Sequence, residues 1–316
     1  MSATGTNDLG TTNSGTNDPG TNNFGQHDLL PKDKVLPGIV MFLVLLGVFS
    51  AVGYYLTVQL GLRRHYMVAL MWSPGLAALL TCKLRGIGLA SLGWSWGDSR
   101  WHWAAYFLPI LYGLVAYGIL WGSGLGGAIS PKYINGVGAF LGLSGWSDTQ
   151  ILLFAIVMFG GVGMVWRIAA ALGEELGWRG FLTPQLMRYF SFPVTSLIVG
   201  LIWSAWHAPL IFYTKYNAGP YDLNMQMLNF TVMTIGLSFV LTYLRLKSGS
   251  VWPATMLHAS HNAYVIAIFG EMTIKYEDTR FYMGEFGVIL PVVMAVLAGY
   301  FWYRAKQEGL SGPVSG

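Results

Sequence analysis

The chain has 316 residues, 54% of them hydrophobic and 10% charged, and its mean hydropathy is +0.50. That balance excludes an ordinary soluble domain, and the apolar runs are long enough to cross about 30 Å of hydrocarbon. The net charge of +4 and pI near 9.0 reflect membrane topology and do not argue for nucleic acid, because no soluble segment carries a basic stripe interleaved with aromatics.

Residues 1–30 are a Gly/Thr/Asn-rich tail in which Gly5, Gly10, Gly15, Gly20 and Gly25 mark a short repeat. Such a segment buries too little to offset its ordering entropy, so a disordered cytoplasmic tail is expected. It lacks the basic-then-apolar layout of a cleaved signal peptide, and the first helix is expected to stay as the insertion signal. Residues 31–310 then read as one all-α, polytopic membrane domain. About eight transmembrane helices are predicted, near 35–61, 66–84, 102–128, 150–172, 193–213, 226–246, 251–269 and 284–304. The segment from Arg85 to Trp101, with Trp94 and Trp96 among Gly and Ser, suits either the membrane interface or a plain connection. Gly122 with Gly126, and Gly173 with Gly177, have the spacing that lets helix backbones approach. The lone cysteine, Cys82, excludes an intramolecular disulfide and a Cys-based metal cluster.

An even helix count puts both termini on one side. With the N-terminus cytoplasmic, the outer connections hold Arg63, Arg64, Lys132, Lys215, Lys275 and Arg280, and the inner side holds Lys32, Lys34, Lys83, Arg85, Arg100, Arg179, Arg188, Arg245, Lys247, Arg304 and Lys306. Both termini are therefore expected in the cytoplasm.

The candidate chemistry lies in residues 170–265. Glu174 and Glu175 sit side by side between two long apolar runs, where each charge costs roughly 2.5–3.5 kcal/mol and the two repel. Glu175 and Arg179 are four apart and share a helix face, which suits a structural ion pair. Glu174 points about 100° away and is free to face a cavity as a proton acceptor. The bland alternative has both acids capping a helix end at the membrane surface and pairing with Arg179 and Arg188. His207 lies among Trp203, Trp206 and Pro209, where a hydrogen-bonded core histidine is equally reasonable. His258 and Asn262 share a face at i and i+4, placing an imidazole and an amide where they could hold a developing oxyanion. His261 reads as a near miss.

Glu174-Glu175-xxx-Arg179, Trp203-xxx-His207 and His258-xxx-Asn262, in that order on separate predicted helices, resemble the CAAX protease and bacteriocin-processing family of intramembrane endopeptidases, related to the type II CAAX prenyl endopeptidases. The second motif usually begins with Phe, and Trp203 stands there instead. The resemblance implies a hydrolase in which Glu174 acts with His207 on the attacking water, and His258 and Asn262 stabilise the tetrahedral oxyanion. Glu175 and Arg179 support the first motif. His207, His258 and a glutamate would also suit zinc with one open position, as in a metalloprotease, and the metal is left open. No His-Glu-x-x-His helix fixes two ligands and a base together, so the metal-free glutamate reading is preferred.

Gly142-Leu-Ser144-Gly145 matches the motif of rhomboid-type serine proteases, yet Ser144 falls in a Gly- and Ser-rich connection and not at membrane depth. No aspartate lies inside a predicted helix, against an aspartyl protease. An ion-coupled transporter, or a non-catalytic peptide-binding immunity scaffold, is the remaining alternative. The expected function is hydrolysis of a peptide bond in a membrane-associated protein or peptide, within the lipid bilayer. The simple tail and lack of eukaryotic targeting marks suggest a bacterial plasma membrane, which argues against a prenylated substrate. Oligomeric state is not encoded in any feature read.

Overall fold

The computed structural model describes residues 31–313, so the tail over residues 1–30 lies outside the described residues. Every named element among them is helical, and the one extended pairing is an isolated bridge between Gly127 and Ile274. In the first half, α1 (Lys32–Tyr54) runs into a π-helical turn, and α2 (Arg64–Met71) and α3 (Ser73–Arg85) together cross the bundle. Next come α4 (Ser99–Gly122), α5 (Pro131–Leu141), α6 (Asp148–Val157) with a π-helical turn at Met158–Val162, and α7 (Met164–Glu175). The second half continues through a π-helical turn at Leu176–Leu182 into α8 (Thr183–Leu186), α9 (Phe192–Tyr213) and α10 (Leu223–Ser248). There follow α11 (Trp252–His261), extended by a π-helical stretch at Asn262–Gly270, then α12 (Thr279–Tyr282) and α13 (Ile289–Gln307).

The helix ends follow local chemistry. Asp98, Ser130 and Asp222 cap α4, α5 and α10 by accepting backbone N–H bonds, and Ser147 with Gln150 forms a reciprocal capping box on α6. Gly86 and Gly249 close α3 and α10 in the left-handed conformation.

Among the described residues five helices are long and apolar enough to cross a membrane: Lys32–Gln59, Arg64–Arg85, Ser99–Gly122, Phe192–Tyr213 and Leu223–Ser248. A sixth, Asp148–Leu186, counts only if its two arms, bent by 41° around Gly163, are one span. The all-α polytopic class stands, and the predicted count of eight is not confirmed. Helices do occupy the last two expected positions. The first of them is diluted by His258, His261 and Asn262, and the second ends on Arg304 and Lys306.

Helix α10 is the centre of the bundle, packed between α9 and α13, with 67% of its apolar window buried against 28% for α1. The remainder of α1 faces outward through Leu36, Val40, Val44, Val48 and Val52, a stripe at every fourth residue suited to lipid contact. The connection between α3 and α4 is not a free loop: Leu92 is fully buried, and Trp252 donates its indole N–H to the Trp94 carbonyl at 2.9 Å. Of the two glycine pairs, Gly173 and Gly177 are jammed against the start of α3, whereas Gly122 faces open space.

Candidate active site

Helix α7 ends on the acid pair and passes without a break into its π-helical turn, an element often found at functional sites. A Cβ on Gly177 would lie 2.4 Å from the Cβ of Pro74, so only glycine lets this turn press so closely on α3. The close approach turns both acids inward. Glu174 is 1% exposed and Glu175 fully buried, which removes the surface-cap reading.

The two acids then diverge. Glu175 meets Nη1 of Arg179 at 3.2 Å from each of its oxygens, across the π-helical turn. The same carboxylate also takes a hydrogen bond at 2.8 Å from Nδ1 of His258 on α11. An ionised carboxylate only accepts, so Nδ1 of His258 carries the proton and Nε2 is left for other work. Glu175 is thus a bridge between Arg179 and His258, where sequence reading gave it only the arginine.

Trp203 on α9 joins the remaining groups. Its indole N–H donates to Oε2 of Glu174 at 2.7 Å, and its carbonyl accepts from Nδ1 of His207 at 3.0 Å. That bond leaves Nε2 as the second nitrogen of His207. The Arg179 guanidinium lies 4.7 Å from the Trp203 ring centroid, and the His258 ring meets Trp203 edge-on at 5.3 Å. A Phe at this position would keep the aromatic wall but lose the donor to Glu174.

Glu174, His207, His258 and Asn262 all line one cavity of about 220 Å³, with Phe230, Met233 and Leu237 among its apolar walls. Asn262 opens the π-helical stretch one helical turn after His258 and is half-buried. Glu175 and Arg179 stay behind the wall. Two further groups line the same cavity. His261, expected to be a near miss, receives or donates a 2.6 Å hydrogen bond with the Tyr112 hydroxyl and lies 3.4 Å from Oε1 of Glu285. Glu285 also accepts from the Tyr216 hydroxyl at 3.5 Å, and Tyr216 stacks on His207. Glu285 carries no motif and sits in the connection just before α13, at the edge of the last predicted helix.

Among the described residues no group of three or more His, Cys, Asp or Glu converges at metal-ligand spacing. The Nδ1 atoms of both His207 and His258 are held by protein oxygens, which leaves Nε2 as the remaining ring nitrogen of each. Ser144 lies exposed in the turn between α5 and α6, away from this cavity.

Residues 151–264 match the family described as Type II CAAX prenyl endopeptidase Rce1-like. The chain is also 28% identical over 199 residues to a CAAX prenyl protease 2 of Methanococcus maripaludis, an alignment covering 60% of this chain and 64% of the relative. The match thus spans just under two thirds of that relative's length. Both findings are similarities over the motif-bearing core, the stretch in which the three motifs resemble that family.

Proposed function

We propose that the protein is a membrane-embedded CAAX-type endopeptidase that hydrolyses a peptide bond of a membrane-associated protein or peptide. The observation that carries this reading is the shared cavity: Glu174, His207, His258 and Asn262 line one small space with largely apolar walls, beside Glu285 and His261. Glu174, with His207 beside it, takes a proton from water as the water oxygen adds to the scissile carbonyl carbon. The negative charge then forms on the carbonyl oxygen, where the Asn262 amide N–H and protonated His258 donate to it. As the tetrahedral intermediate collapses, the C–N bond breaks and the proton held by Glu174 passes to the departing amine. Glu175 and Arg179 position these groups without touching substrate. The name of the archaeal relative brings a prenylated C-terminus into consideration as substrate, beside the leader or signalling peptides that a bacterial plasma membrane would offer. The distribution of Lys and Arg supports a reading with both termini in the cytoplasm.

Glu174→Gln keeps size and removes the basic carboxylate. Turnover should fall by about 10²–10⁴-fold with folding and peptide binding retained. Full biological activity of that variant at normal expression would sink the protease reading in favour of a scaffold. Altered ion coupling, with no peptide cleaved by the wild type, would favour a transporter. The metal-free version is the one proposed here, because no His-Glu-x-x-His helix fixes two ligands and a base together. One equivalent of zinc in active enzyme, with activity lost on removal and restored on return, would reassign His207 and His258 to metal ligation.

A further inference from the structure

A space larger than the one beside Glu174 lies elsewhere. It is a groove of about 890 Å³ between α5, the π-helical turn at Met158–Val162 and the connection before α12, against about 220 Å³ for the acid-lined cavity. Lys132, Arg167, Lys275 and Arg280 line it, with Glu271 as its one carboxylate. Lys275 pairs with Glu271 at 3.8 Å, in an exposed contact of little strength. Lys132, Arg167 and Arg280 have no carboxylate within ion-pair distance among the described residues. Arg167 is fixed at the wall because its Nη1 donates to the carbonyls of Phe159 and Gly163, each at 3.2 Å. Phe140, Phe159 and Ile274 supply apolar surface between these cations. A carboxylate on an apolar stem suits such a lining.

The groove and the candidate active site adjoin a common cavity. A third cavity of about 280 Å³ shares Glu271, Lys275 and Arg280 with the groove, and Ile266 and Glu285 with the cavity that holds Glu174. We propose that the groove is a substrate subsite, resting on the endopeptidase reading above, which takes a carboxylate on one side of the scissile bond. Charge orders the peptide along the run. Glu285 and Glu174 repel an anion from the reacting end, and the uncompensated cations attract it to the far end. The neutral, apolar part of the peptide is left beside Glu174.

The carboxylate can belong to an acidic side chain or to a free C-terminus, and one binding experiment separates them. The full chain carrying Glu174→Gln is placed in phosphatidylcholine nanodiscs, and three fluorescent peptides of one apolar sequence are titrated. One carries Asp and is amidated, one has a free C-terminus, and one carries Asn and is amidated. At least one anionic peptide should bind about tenfold tighter than the neutral one at low salt. That ratio should fall toward one at about 1 M salt, where the screening length is near 3 Å, and in Lys275→Gln/Arg280→Gln. Lys132→Gln should lower the same ratio, which guards against misfolding of the double variant. Equal affinity for all three peptides overturns the proposal, as does a preference that survives both salt and substitution. Anionic lipid retained by the wild type but lost from the double variant, with no peptide preference, overturns it in favour of a headgroup site. Cleavage of the peptides by the wild type without any charge preference overturns the subsite alone. A charge preference with no peptide cleaved keeps the anion-binding groove and removes the endopeptidase reading.

Discussion

Glu175 and Glu308 are carboxylates with several partners each, in opposite surroundings. Glu175 is fully buried and holds Arg179 and His258, joining α7 to α11. Glu308, past the end of α13, accepts from Arg304 at 2.5 Å and from the Tyr243 hydroxyl at 2.9 Å, and lies 3.0 Å from Lys247, joining α13 to α10. The chemistry is alike and the consequence differs. In the interior an abandoned partner keeps its charge without solvation, whereas near water the solvent replaces what is lost. The buried cluster is therefore where single substitutions should be severe, and the helix-end cluster where they should be mild.

The largest effect is expected from Arg179→Met. It leaves Glu175 buried with only His258 beside it, and thermal unfolding in detergent should show a loss of about 3–5 kcal/mol. Removing the acid as well, in Glu175→Leu/Arg179→Met, should recover part of that loss. A single variant that melts with the wild type would mean that the buried pair does not hold the fold.

Next comes Trp203→Phe, which keeps the ring over which Arg179 lies and removes the N–H donated to Glu174. A hydrogen bond to a charged group contributes about 1.5–3 kcal/mol, so turnover should drop roughly ten- to a hundredfold. KM should change less, because Trp203 orients the acid and does not grip the substrate. Unchanged kcat would show that Glu174 keeps its position without the indole. Packing offers a check of similar or smaller size: Gly177→Ala, with its Cβ 2.4 Å from Pro74, should cost about 1–3 kcal/mol. Gly122→Ala, facing open space, should stay within about 0.5 kcal/mol of the wild type. Equal melting of the two glycine variants would remove close packing as the reason the acids turn inward.

These residues also show what a sequence can reveal. Glu174, Glu175, His207, His258 and Asn262 stand out because polar groups are costly within apolar runs, and helical spacing correctly paired Glu175 with Arg179. Partnerships across distant elements leave no such mark. The bond from Trp203 to Glu174, the contact of His258 with Glu175, and the arrival of Glu285 beside His261 all depend on how helices cross. The predicted helix count is left unconfirmed for a related reason. The segment over residues 252–270 carries the very polar groups that make it interesting, and they lower its apolar character below that of a plain span. The glycine pairs had identical spacing, yet Gly173 and Gly177 both press on a neighbouring backbone whereas Gly122 meets nothing, since spacing records a face and not what packs on it.

The smallest predicted effect belongs to Glu308. Partial burial pushes its carboxyl up, but hydrogen bonds from Arg304, Lys247 and Tyr243 outweigh that and hold it below the usual carboxylate range. A lowered value in the folded state means that the acid stabilises the fold at pH above its unfolded value of about 4.3, and that this contribution is lost as pH falls through the lower folded value. Arg304 is 44% exposed, so solvent screens the cluster and its contribution should not exceed about 1 kcal/mol. Glu308→Gln should therefore lower the melting temperature slightly at about pH 7, and the difference from wild type should shrink at about pH 3. A difference that grows toward acid would reverse the sign and show that Glu308 is protonated in the folded protein. A loss at neutral pH as large as that of Arg179→Met would erase the contrast between the two clusters, and with it the argument that burial decides what each carboxylate is worth.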